Sequence, residues 1–271
     1  MINMLDNPPE KHYGVLREAP LGDAMGAQAE EIFRDGFCII DSLLTAEEKK
    51  GLSNAYDSME RNYKKKFGGH LSRRPEEKDI FRLPMAFETN FIDLAFNAQL
   101  HSFIGQILEG QYILNQQNAI TNPAGRGYSQ GRWHRDLPYQ HFTVSKPIGL
   151  NALYCIDEFN RENGATWVIP GSHLHEDFPS YGYRSSRAKK ICAPAGSFIV
   201  MDVMTFHSGG WNNSAKNRRA VNHVFTIPYI RQQIDISAAM ETTALSCWQK
   251  EILGIKHSHS RGVEEFIARG S

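Results

Sequence analysis

RRAVNHVFTI, residues 218–227, reads as a strand with two unlike faces. Side chains alternate along an extended chain, so every second residue shares a face. The even positions, Arg218, Ala220, Asn222, Val224 and Thr226, are mostly small and partly polar; the odd ones, Arg219, Val221, His223, Phe225 and Ile227, are bulkier. Such a strand suits the wall of a barrel: the even face lines an interior that holds a ligand, and the odd face packs under helices. Arg218 then points inward and Arg219 outward. A buried guanidinium needs an anionic partner, and its planar fork matches a carboxylate. Two ordinary surface ion pairs are the alternative for these arginines.

His207 lies eleven positions upstream of Arg218. It follows the apolar run FIVMDVMTF and precedes Ser208-Gly209-Gly210, where glycine lets the backbone turn tightly. A second polar cluster, RWHRDLPYQH, occupies residues 132–141. His134 and Asp136, two apart in a strand, aim at one point, while Arg135 faces away. A third ligand is needed, and His141, His173, His175, His207 and His223 are the candidates. The strand that delivers His207 makes it stand out. Two histidines and one carboxylate leave one side of a metal open, as ferrous oxygenases require. Alone, His-x-Asp is a weak signal, because it recurs by chance. His257 and His259 in the tail read as a polar linker.

Around these segments the chain changes character near Gly110. Helical patterns are expected over 24–35, 42–61 and 91–109, with a short strand at 36–40. Thr45, with Glu48 three residues on, is the expected N-cap of the second helix. The basic stretch 62–78 reads as a solvated loop or a lid over an active site. Strands are expected at 112–121, 148–156, 166–169, 197–201 and 221–229. This order predicts a mainly β fold with flanking helices, in a single domain over 1–271. Within it, 1–110 is mainly helical, 111–230 is the β core and 231–271 is a helical tail. Trp133 and Trp211, which flank the two histidine segments, read as barrel packing. Residues 178–190 read as a lid or a surface insertion.

Composition bounds the function. The chain has 271 residues, 41% of them hydrophobic, enough for a substantial core. Thirty basic residues balance thirty acidic ones, which argues against a nucleic-acid partner. The four cysteines, Cys38, Cys155, Cys192 and Cys247, show no paired spacing and read as buried free thiols of a reducing cytoplasm. No leader-like apolar region opens the chain, and no run reaches the roughly 20 residues of a membrane span. A cytoplasmic protein is expected. Nothing in the residues speaks to oligomeric state.

WHRDLPYQHF, IDEFNRENGATWVIPGSH and FHSGGWNNSAKNRR, taken in order, resemble the phytanoyl-CoA dioxygenase family, as does FRDGFCIIDSLLTAEE near the start. The resemblance implies a double-stranded β-helix, or cupin-like jelly roll. It implies Fe(II), 2-oxoglutarate and O2, with His134, Asp136 and His207 as the catalytic metal ligands. Arg218 matches the arginine that grips the distal carboxylate of 2-oxoglutarate. Gln116 and Asn118 match a strand that contributes polar contacts to the co-substrate; edge groups facing water are the alternative. Tyr139, His141 and Asn222 are candidates to reach the substrate. Many relatives carry serine two positions past the distal histidine, where this chain has Gly209. Asp136 stands where related halogenases have glycine or alanine, which disfavours halogenation. The implied reaction hydroxylates an unactivated C–H of a small-molecule metabolite and yields succinate and CO2. Desaturation, epoxidation or cyclisation on the same centre is the alternative. From another class, a cupin-like metal-binding barrel without 2-oxoglutarate would not need Arg218.

Overall fold

A computed structural model describes residues 12–16, 25–137, 139–255, 260 and 262–269. The tail histidines 257 and 259 lie outside the described residues. Among the described residues, nine strands form two sheets. In chain order they are β1 (Phe37–Asp41), β2 (Ile80–Arg82), β3 (Ile113–Asn122), β4 (Gly149–Cys155), β5 (Thr166–Val168), β6 (Lys189–Ile191), β7 (Ser197–Asp202), β8 (His207–Ser208) and β9 (Arg218–Thr226). The larger sheet runs β1-β7-β4-β9-β3-β2 and the smaller β6-β5-β8. Every pairing is antiparallel. With helices on one face of the large sheet, this is the mainly β fold that the strand pattern predicts, and the jelly roll that the resemblance implies.

The helices are α1 (Gly26–Asp35), α2 (Ala46–Leu71), α3 (Asn90–Ala95), α4 (Ala98–Leu108), α5 (Tyr181–Arg187), α6 (Ile236–Ala239), α7 (Cys247–Ile252) and α8 (Val263–Arg269). Thr45 caps α2 as expected: its hydroxyl accepts from Glu48 N at 3.2 Å, and Glu48 accepts from Thr45 N at 2.7 Å. The stretch expected to be a solvated loop from 62 continues α2 to Leu71 instead. Tyr63, Phe67 and Leu71 recur every four residues and pack on the core, so Lys64, Lys65 and Lys66 belong to a helix with one wet side. The expected 91–109 helix is two, because the Asn97 side chain starts a second by accepting from Leu100 N at 3.0 Å. The strand expected at 36–40 is β1, and the N-terminal part also supplies the unexpected β2; both are edge strands of the large sheet.

The two faces of the large sheet carry different cores. Val221 and Phe225 of β9 join Ala152 and Tyr154 of β4 and Phe198 and Val200 of β7 under α1 to α4. Between the sheets lie Leu153, Cys155, Ile199, Met201 and Ala220, packed on Val168 and Ile191 of the small sheet. Full burial of a Val- or Phe-sized side chain is worth about 1.5–3 kcal/mol, and both faces of the sheet gain it. All four cysteines are free; Cys38 and Cys155 are buried as expected, whereas Cys192 and Cys247 are exposed. No helix among the described residues is long and apolar enough to cross a membrane.

Candidate active site

His134 and His207 face each other across an antiparallel bridge closed by both backbone hydrogen bonds, each 3.0 Å. Residues so paired project to the same side, and the two rings stand 4.3 Å apart. The next step of the same segment, Asp136 N to Val203 O at 3.1 Å, brings the carboxylate alongside. Asp136 Oδ1 is 3.6 Å from His207 Nε2. One ligand atom from each of the three residues lies within 4.8 Å of the others.

The donor set is prepared for a cation. His134 Nδ1 donates to Arg132 O at 2.7 Å and His207 Nδ1 to Thr205 O at 3.0 Å. Each imidazole therefore offers its Nε2 lone pair to the centre, the way metal-bound histidines are oriented. Burial, and then the nearness of the His207 imidazole, push His134 down to about 4, so it is neutral and able to ligate near pH 7. Asn151 on β4 donates to Asp136 Oδ2 at 3.0 Å and leaves Oδ1 turned towards His207. Two nitrogens and one oxygen fit a ferrous ion.

Arg218 closes the far end of the same cavity. It is 3% exposed, lies over the Phe159 ring at 3.8 Å and donates to Gly164 O. Gly164 has φ of 80°, and a side chain there would collide with Gly210 O. Only glycine can thus aim that carbonyl. The Tyr128 phenol lies beside the guanidinium in the same cavity, and Arg218 Nε has no hydrogen-bond partner. Among the described residues no carboxylate forms a salt bridge with it. Burial pulls its pKa down, as expected for a cation short of counter-charge.

Other sequence-predicted residues divide. Asn222 lines the cavity with the three candidate ligands and Arg218. Gln116 and Asn118 share a face, as alternation predicts, but line a separate small cavity with Leu83, Gln233 and Ile234. Asn118 Nδ2 donates to Gln116 Oε1 at 3.1 Å, and its backbone N donates to Asn222 Oδ1 at 3.0 Å. Tyr139 and His141 are exposed, and Tyr139 stacks on Phe142. Arg135 faces away from Asp136 and donates to backbone carbonyls, among them Ser172 O at 2.9 Å. His173 hydrogen-bonds Phe33 O at 3.3 Å. Trp133 and Trp211, read as packing, instead border an outer groove with Trp167, and Trp211 is exposed. Residues 178–190 form α5 and most of β6 on that same outer side.

Sequence reasoning missed Asn151 and Tyr128. Asn151 left a trace, a polar residue inside the buried strand GLNALYC. Tyr128 left none, because its loop shows no period.

Comparison with known proteins agrees with this geometry. The family model for phytanoyl-CoA dioxygenase (PhyH) matches residues 32–220. Dioxygenase olcK of Penicillium canescens is 31% identical over 205 residues, covering 71% of this chain and 66% of its own. An uncharacterized protein of Mycobacterium tuberculosis is 29% identical over 213 residues, 76% of each chain. Among solved structures, the non-haem α-ketoglutarate-dependent carbocyclase SnoK from nogalamycin biosynthesis superposes with a TM-score of 0.59 at 13% identity, covering 79% of this chain and 89% of its own. With the family model spanning most of the sequence and the bridge, carboxylate and arginine gathered in one cavity, this chain belongs to the phytanoyl-CoA dioxygenase family of non-haem iron, 2-oxoglutarate-dependent oxygenases.

Proposed function

We propose that His134, Asp136 and His207 hold Fe(II), that Arg218 grips the distal carboxylate of 2-oxoglutarate, and that the enzyme hydroxylates an unactivated C–H of a small-molecule metabolite. The observation that carries this reading is Arg218: a buried cation with no carboxylate bridging it among the described residues, in one cavity with two histidines and one carboxylate. When bound, iron supplies O2 activation coupled to oxidative decarboxylation of 2-oxoglutarate to succinate and CO2, ending in removal of a substrate hydrogen atom. The chain's own part is positional. The carbonyls of Arg132 and Thr205 fix the imidazoles, and Asn151 fixes the carboxylate. Ile120, Leu153, Met201 and Ala220 give the cavity an apolar wall that keeps water from the centre.

The test is succinate formation from 2-oxoglutarate with Fe(II) and ascorbate, before any substrate is known. Uncoupled turnover by the wild type, lost in His134→Ala by on the order of a hundredfold or more, is expected; equal rates in the two proteins would sink the assignment. The relation to a carbocyclase keeps a second outcome on the same centre in view. Product mass separates them, since hydroxylation adds one oxygen whereas ring closure removes two hydrogens.

A further inference from the structure

Tyr128 sits in the loop between β3 and the His134 segment, and its phenol reaches into the cavity beside Arg218. Three observations give that placement chemical meaning. First, a guanidinium has only donors. Towards Arg218 the phenol oxygen can therefore only accept, and its own O–H proton is left for a second group. Second, a Cβ built on Gly209 would overlap the phenol oxygen and the ring carbon that bears it. The bare glycine is what admits the tyrosine. Third, the loop is pinned where it must be: Gly209 N donates to Gln130 O at 2.7 Å, and Gly131 N to Tyr128 O at 3.1 Å. Burial raises the phenol above its usual range, so it stays protonated and can donate near neutral pH.

Resting on the oxygenase reading above, we propose that the Tyr128 hydroxyl and the Arg218 guanidinium form a two-donor clasp for the distal carboxylate of the dicarboxylate co-substrate, with Gly209 as the vacancy that lets the phenol in. A carboxylate presents two oxygens in one plane; one takes the phenol proton and the other a guanidinium N–H. Tyr128 is thereby a selectivity residue for a keto acid with a second carboxylate, against one that lacks it.

The experiment uses the full chain loaded with Ni(II), which does not turn over, and calorimetric titration with 2-oxoglutarate and with pyruvate. Pyruvate shares the keto-acid end and lacks the far carboxylate. Tyr128→Phe is expected to weaken 2-oxoglutarate by about tenfold, the size of one hydrogen bond to a charged group, and to leave pyruvate and Ni(II) binding unchanged. In the pair Tyr128→Ala with Gly209→Ser the new hydroxyl stands where the phenol was, and it is expected to recover part of the loss seen in Tyr128→Ala alone. Unaltered 2-oxoglutarate affinity in Tyr128→Phe would overturn the clasp. So would equal weakening of both keto acids, which marks a purely structural role. Wild-type protein that binds Ni(II) but neither keto acid would instead fail the oxygenase reading, and the clasp with it.

Discussion

Arg218 and Arg219 are chain neighbours on opposite faces of β9, and their surroundings could hardly differ more. Arg219 donates to Asp157 from its backbone, its Nε and its Nη2, and to Asp57 at 2.7 Å and Ser53 Oγ at 2.9 Å on α2. Those partners raise its pKa well above the usual arginine value. Arg218 has a carbonyl, a phenol and an aromatic face, and no carboxylate bridging it among the described residues. Arg135 is a third case: buried as deeply, but with its fork engaged by backbone carbonyls. The contrast teaches that burial alone does not mark function. A charged group whose partners come from the protein is architecture; one that faces a cavity short of partners awaits a ligand.

The contrast can be broken, starting with the largest effect. Phe225→Ala, on the helix side of β9, is expected to destabilise by about 3–5 kcal/mol, read from urea unfolding. The mechanism is a void under α4, and the iron site is not touched. Arg218→Met is expected to raise the 2-oxoglutarate KM by about a hundredfold, as for loss of a charged, two-pronged contact, while the melting temperature holds or rises. A large fall in melting temperature with an unchanged KM would invert the assignment of the two faces.

Acid should act next, through the helix-side histidine. Burial pushes His223 down to about 4 from 6.5, its imidazole sealed in the core with Nδ1 on Ala152 O. It is neutral in the fold, whereas in the unfolded chain it takes up a proton below 6.5. Its contribution to stability is complete above pH 6.5 and is lost as pH falls towards 4. Between pH 7 and pH 5 that amounts to about 2 kcal/mol. Denaturation at both pH values should show that slope flattened in His223→Leu; an unchanged slope would place the acid sensitivity elsewhere. The smallest effect is Arg219→Met. Its half-exposed pairs are worth about 1 kcal/mol, seen as a modest drop in melting temperature with the 2-oxoglutarate KM unaltered.

How far the sequence reached follows from the range of each signal. Alternation in 218–227 is local, and it correctly divided β9 into a cavity face and a helix face. Thr45 and Glu48 carried their capping box on four residues. His134 and Asp136 declared a shared face, but the bridge to His207 spans more than seventy residues; the apolar run and glycines around His207 singled it out among five candidates, and the resemblance completed the set. Lysines 64 to 66 hid the helix through Leu71, because charge density was read before the four-residue recurrence of Tyr63, Phe67 and Leu71. Strands β2, β6 and β8 are three residues or fewer and carry no period; β5 is as short, but it lies in the apolar run ATWVI that marked it. Gln116 and Asn118 were placed on the right face but one step too far along it to line the iron cavity. Tyr128 could not be foreseen, since its role depends on a glycine eighty-one positions away.

The donation of both outer strands by the first third of the chain has a practical consequence. β1 covers β7 over five residue pairs, Phe37↔Met201 through Asp41↔Ser197, and β7 leads directly into the turn that carries His207. Trimming the chain to its jelly-roll core would strip that cover and leave a bare row of amides and carbonyls beside the histidine turn. Such a margin recruits other chains. A shortened form should therefore be lost to self-association before its chemistry could be measured, and expression should begin upstream of α1.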